Sequence, residues 1–192
     1  MRLWPALLML LALPGCISFG EDPPPFLLTL TPGQTVEPGT SRAGADGRSI
    51  TIAEPQIPQK LSTNRLAVTT GETTVSYFPD AIWADTPNAL FRDLVGEVVA
   101  ARTGRIVLDP RQYSSSPGLI VNGQLREFGY DSRSRQVVIV YEAVIDDEVG
   151  GIRTRRFEAS EPVAVEEAQY LAQALNSAAN RVAAEVSDWV AG

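Results

Sequence analysis

The sequence predicts an α/β fold, a mixed β-sheet covered by helices, and three observations carry that expectation. Between Leu119 and Ala159 the apolar residues recur at the two-residue period of long antiparallel strands. Two segments, one opening at Thr86-Pro87 and one filling the last thirty or so residues, carry apolar residues at helical spacing instead. The order is strands, helix, strand, three strands, helix, which is the pattern of a sheet with helices laid on it.

The chain opens with Met1-Arg2 and an apolar run from Leu3 to Leu13. That run is too short to span a bilayer core of about 30 Å, which takes about 20 residues. It suits the apolar part of a secretory signal peptide, so residues 1–15 are set apart from the fold. Leu13-Pro14-Gly15-Cys16 follows, and Cys16 is the only cysteine in 192 residues. A lone cysteine can be a small buried side chain. Behind such a leader, the thiol is better read as the point of cleavage and acylation. The four residues resemble a bacterial lipobox, with Pro14 unusual at its place. The pattern implies palmitate and diacylglycerol on Cys16, and Ile17 in place of Asp implies export to the outer membrane. Residues 16–25, the cysteine and "ISFGEDPPP", then read as a Pro-rich tether, extended over roughly 30 Å.

Residues 26–192 form the body. "FLLTL" (26–30) is a short strand candidate, and residues 31–48 a long Gly/Pro loop. "SITIAEP" (49–55) alternates as a strand, and "RLAVTT" with "TTVSYFP" frames Gly71-Glu72 as a tight hairpin. Thr86 is placed to cap a helix with Pro87 at its first position, Leu90, Phe91, Leu94, Val95 and Val98 on its apolar side, and Gly104 at its end. "RIVL" (105–108) is a strand. "QVVIVYEAVID" (136–146) is apolar on nearly both faces, so it is expected to be central and covered on both sides. "IRTRRFEAS" (152–160) returns with its arginines outward. The last helix is expected from Val163 to about Val190, with Glu166 and Glu167 in its first turn.

Composition narrows the function. The chain is 44% hydrophobic with a mean hydropathy of −0.01, enough for one packed domain. Without a second cysteine it has no internal disulfide. A net charge of −7 argues against nucleic acid and against a polybasic membrane contact. There is no histidine, so the commonest general base and zinc ligand are missing. No phosphate loop, nucleophile elbow or dinucleotide fingerprint occurs. Asp146-Asp147-Glu148 could serve as catalytic carboxylates or a calcium site, but acids beside a Gly-Gly turn are first a solvated turn. Ser114–Ser116 have no visible base. Arg153, Arg155 and Arg156 are either a solvated face or a contact for phosphate or a partner's acids. The chain is therefore expected to be no enzyme, with no cofactor and no metal.

"YFPDAIWADTPNALFRDLV" (77–95) crowds aromatics before the first helix. Trp83 is a core plug or an exposed recognition residue, the core being preferred. Tyr77, Phe78, Trp83 and Phe91 are together the candidate lipid or partner surface. Here the chain resembles the auxiliary lipoproteins of ABC-type intermembrane lipid transport systems, which work with MCE-domain proteins. Cys16, "FLLTL", "ITIAEPQIP", "YFPDAIWAD" and a closing helix occur in that family's order. Phe26-Leu27 stand where the family tends to show tyrosines. The resemblance implies a domain similar to the amino-terminal domain of TolB, held at the outer membrane and facing the periplasm. It implies an MCE-domain protein, permease and ATPase as partner chains, passage of lipid, and leaves a homo-oligomer open. A second class, an outer-membrane regulator of a cell-wall synthase, shares the lipobox, tether and TolB-like body, but calls for a longer tether.

Overall fold

A computed structural model describes residues 26–42, 49–109, 118–147 and 151–192. Cys16, the tether, Ser114–Ser116 and Glu148 lie outside these residues. Among the described residues one seven-stranded sheet is formed by β1 (Ser49–Ile52), β2 (Arg65–Thr69), β3 (Val75–Ile82), β4 (Ile106–Leu108), β5 (Leu119–Asp131), β6 (Gln136–Asp147) and β7 (Gly151–Pro162). Helix α1 (Pro87–Thr103) connects β3 to β4, and α2 (Ala168–Ala191) follows β7.

The long antiparallel unit is as expected. β5 pairs with β6 from Ile120 opposite Asp146 to Asp131 opposite Gln136, and β6 pairs with β7 along its whole length. The other edge of β5 is shared. β1 runs parallel to its first residues, Ile50 to Ile52 beside Leu119 to Val121, and β2 runs parallel to its last, Ala67 to Thr69 beside Gly129 to Asp131. A bulge between Leu125 and Glu127 lies between the two contacts. The sheet therefore forks, with β4 outside β1 and β3 outside β2.

Both helices cover the same face. The ring of Phe91 in α1 meets Tyr141 of β6 at 5.1 Å, Tyr141 meets Phe157 of β7 at 6.4 Å, and Phe157 meets Trp189 of α2 at 5.7 Å. Alanines 178, 179 and 183 are fully buried, which lets α2 sit close against its neighbours. The expectation that β6 is covered on both sides is thus corrected. β6 is central, but Val138, Glu142 and Val144 on its other face are only half-buried. Its apolar character there follows from its neighbours in the sheet: Val140 is buried with Glu127 and Glu158 as its cross-strand partners, whose aliphatic stems flank it.

Other boundaries moved for identifiable reasons. "FLLTL" contributes one parallel bridge, Leu28 to Trp83, with the Leu28 N–H donating to the Ile82 carbonyl at 2.7 Å. The chain then becomes a strap over the helix layer. The Thr31 N–H donates to Asn176 Oδ1 (2.7 Å), the Gly33 N–H to Asn180 Oδ1 (2.6 Å) and the Val36 N–H to Glu97 Oε1 (2.7 Å). Asn180 Nδ2 returns a bond to the Thr31 carbonyl at 3.0 Å. The hairpin turn is wider than two residues, closed by the Thr70 N–H on the Thr74 carbonyl. Pro87 opens α1 as expected, and Gly104 ends it in the left-handed conformation at φ 69°. Thr86 is the N-cap residue, but its side chain makes no capping bond. α2 starts at Ala168 because the residues before it are committed elsewhere. The Val163 N–H donates to the Arg135 carbonyl (2.9 Å), and the Tyr130 hydroxyl donates a hydrogen bond to Glu166 Oε1 (2.7 Å). Glu166 and Glu167 therefore precede the helix.

Candidate functional site

The four aromatics of the expected surface do not form one. Trp83 is 1% exposed and its ring lies 5.4 Å from Phe128, while Phe91 is fully buried against Tyr141. Each sits where an element turns inward: Trp83 just after β3, Phe91 on the sheet-facing side of α1. Neither is available to a lipid or a partner on this fold. Tyr77 and Phe78 are half-buried and pack against the same core. The Tyr77 hydroxyl donates to the Lys60 carbonyl at 3.3 Å, and the Arg65 guanidinium lies 5.6 Å from its ring centre. Pro79 and Asp80 explain why these two residues are less covered. Asp80 takes φ 55°, a left-handed kink, where the register of β2 with β3 slips.

A cleft of about 500 Å³ lies between the strap, α1 and β4, with Arg42, Arg92 and Arg105 among its walls. Its cations are largely engaged. Arg92 pairs with Asp93 (2.6 Å) and reaches Asp109 (3.8 Å). Arg42 Nη1 donates to the carbonyl of Ala100 (2.9 Å), which also accepts the Gly104 N–H, and to that of Arg105 (3.1 Å), just beyond the end of α1. A second cleft, about 420 Å³, opens on the uncovered face of the sheet under the β2–β3 turn. There Lys60 donates to both oxygens of Glu127.

Among the described residues, two tyrosines and one aspartate have ionisation perturbed by the fold. Burial raises Tyr141, and it raises Tyr130 with help from the Glu166 carboxylate, so both phenols are held neutral. Burial would raise Asp131 too, but hydrogen bonds from the Arg133 backbone and guanidinium outweigh it and lower the net value. These groups support the structure; no pair of them is arranged as acid and base across a cleft.

Two surface features differ from their reading in the sequence. Phe26 and Leu27, read there as strand, are 48% and 55% exposed beside the point where the tether joins. β7 is a twelve-residue edge strand; its arginines were read as a solvated face or as a contact for phosphate or a partner's acids, but its place at the edge of the sheet was not anticipated. Among the described residues no helix is long and apolar enough to cross a membrane.

The family model described as "ABC-type transport auxiliary lipoprotein component" matches residues 26–187. A crystal structure of an uncharacterized protein, 14% identical, superposes with a TM-score of 0.66 over 77% of this chain and 94% of its own. Protein XCC0632 from Xanthomonas campestris, 16% identical, superposes with a TM-score of 0.65 over 86% of this chain and 95% of its own. At these identities the likeness is one of fold. No curated protein matches the chain by sequence.

Proposed function

This chain belongs to the ABC-type transport auxiliary lipoprotein components, and from that premise we propose that it is the non-catalytic outer-membrane lipoprotein of an MCE-type intermembrane lipid transport system. The observation that carries the reading is the family match across the body, directly downstream of a lipobox-like Cys16 and a short Pro-rich tether. Acylation of Cys16 would hold the body within roughly 30 Å of the headgroups, facing the periplasm. From there it assists the passage of phospholipid between membranes while the ATPase, permease and MCE-domain subunits are other chains. The absence of histidine from the sequence supports a role in contact rather than chemistry.

Genetics tests the assignment. Deleting this gene should weaken the outer-membrane barrier to detergent, and deleting the MCE-domain gene as well should add nothing. Additive defects would place the two proteins in separate systems. Cys16→Ala should abolish palmitate labelling and reproduce the deletion, since each buried acyl CH₂ contributes about 0.8 kcal/mol to anchoring. A labelled Cys16→Ala chain would remove the anchor from the proposal.

A further inference from the structure

β7 ends the sheet, and among the described residues its outer edge pairs with no strand. An edge of that length offers a row of backbone donors and acceptors to another strand. Its sequence is polarised. Arg153, Arg155 and Arg156 occupy the first half, and Glu158 and Glu161 the second. Ile152, at its start, is 72% exposed.

We propose that β7 pairs antiparallel with β7 of a second copy, about a two-fold axis through Phe157, joining the two sheets into one. Antiparallel pairing about that point sets residues equidistant from Phe157 against each other. Arg156 then faces Glu158 of the other copy, and Arg153 faces its Glu161. Centring the axis on Arg156 or on Glu158 instead would set like charges face to face, which is destabilising. The strand is thus complementary to itself in one register.

Side-chain directions agree with that register. Arg156 and Glu158 alternate with the buried Phe157 and so stand on the uncovered face, where they are 57% and 61% exposed. Arg153 and Glu161 stand on the helix face with Phe157. Arg153 lies 5.6 Å from the centre of the Trp189 ring, and Glu161 accepts from Arg181 at 3.0 Å, so both are held at the edge. Arg181 also donates to the Ser160 carbonyl (2.7 Å), which leaves the central residues of β7 to carry the new ladder. The axis is perpendicular to the sheet because both helix layers stay on one side. It keeps the two amino-terminal ends at one height, as two anchors in a single membrane leaflet require. Such an interface is isologous, each charged contact occurring twice.

The test uses the full-length acylated chain in mild detergent, with association measured by sedimentation equilibrium. The wild type should dimerise. Arg156→Glu or Glu158→Arg alone puts like charges together at two symmetric places and should weaken the dimer by about ten-fold or more, the equivalent of roughly 1.4 kcal/mol. The double variant Arg156→Glu/Glu158→Arg restores opposite charges across the axis and should recover the wild-type constant. All three changes are on exposed side chains, and unchanged thermal midpoints will show that the fold is kept. A monomeric wild type overturns the proposal, as does a double variant no better than the single ones. Thr154→Cys with Ser160→Cys, oxidised in intact membranes, gives a second readout. A self-crosslinked dimer supports the pairing. A crosslink only to a different protein overturns it in favour of a foreign strand on this edge.

Discussion

On the face that the helices cover, Val137, Ile139, Tyr141, Ala143 and Ile145 of β6 are each at most 1% exposed. On the opposite face of the same strand, Val138, Glu142 and Val144 are half-buried, and Val140 is buried outside the main core. The first face is sealed by aromatic rings and closely packed alanines. The second is roofed by charged side chains: Arg126 with Glu142 at 2.6 Å, Arg156 with Glu142 at 3.6 Å, and Arg156 with Glu158 at 3.8 Å. The difference shows that an apolar residue in a central strand needs only neighbours on either side, not a second layer. Stability is concentrated on the helix face, while the other face and the β7 edge stay available for contact.

Substitutions can break this contrast. The largest effect is expected at Trp83, where truncation to alanine removes a fully packed ring at the helix-face core. Trp83→Ala should cost about 3–5 kcal/mol in urea unfolding. A thermal midpoint that hardly moves would mean the ring is not a core element. A sharper comparison uses adjacent residues. Val137→Ala should cost about 2 kcal/mol, two methyls plus a cavity, and Val138→Ala less than about 1 kcal/mol. Equal losses would contradict the one-sided core. The smallest effect is expected at Glu142, whose two arginine partners are more than half exposed. Glu142→Gln should cost no more than about 1 kcal/mol and lose even that in high salt, because exposed pairs are screened.

The two faces also differ in what the sequence discloses. Alternation over 119–160 is strong, so β5, β6 and β7 could be placed within a few residues. Pro87 and Gly104 punctuate α1 because their backbone limits act locally. Periodicity reports that a residue is buried, however, and not by what. Nothing in "QVVIVYEAVID" separates a helix from a neighbouring glutamate stem. The strap was read as a loop because its bonds reach Asn176 and Asn180, some 145 residues further along the chain. Trp83 sits at a strand-to-helix junction, where neither period applies, so its burial was a preference between two readings. Tyr77 and Phe78 were placed on a surface with it because an aromatic cluster looks alike inside and out. The sharing of the β5 edge by β1 and β2 joins segments far apart in the chain, on either side of a bulge that has no local sequence marker. Cys16 lies outside the described residues, and its reading as an acylated anchor rests on linear patterns, an apolar leader and a tetrad that resembles a lipobox.

Capture of partners addresses the function most directly. The full chain, crosslinked in intact membranes and purified, is expected to bring down the MCE-domain protein. Trp83→Phe, which keeps an aromatic ring in the core and most of its volume, should capture it equally well, whereas a transport role carried by an exposed Trp83 would lose it. Recovery of a cell-wall synthase in place of the MCE-domain protein would contradict the transport assignment.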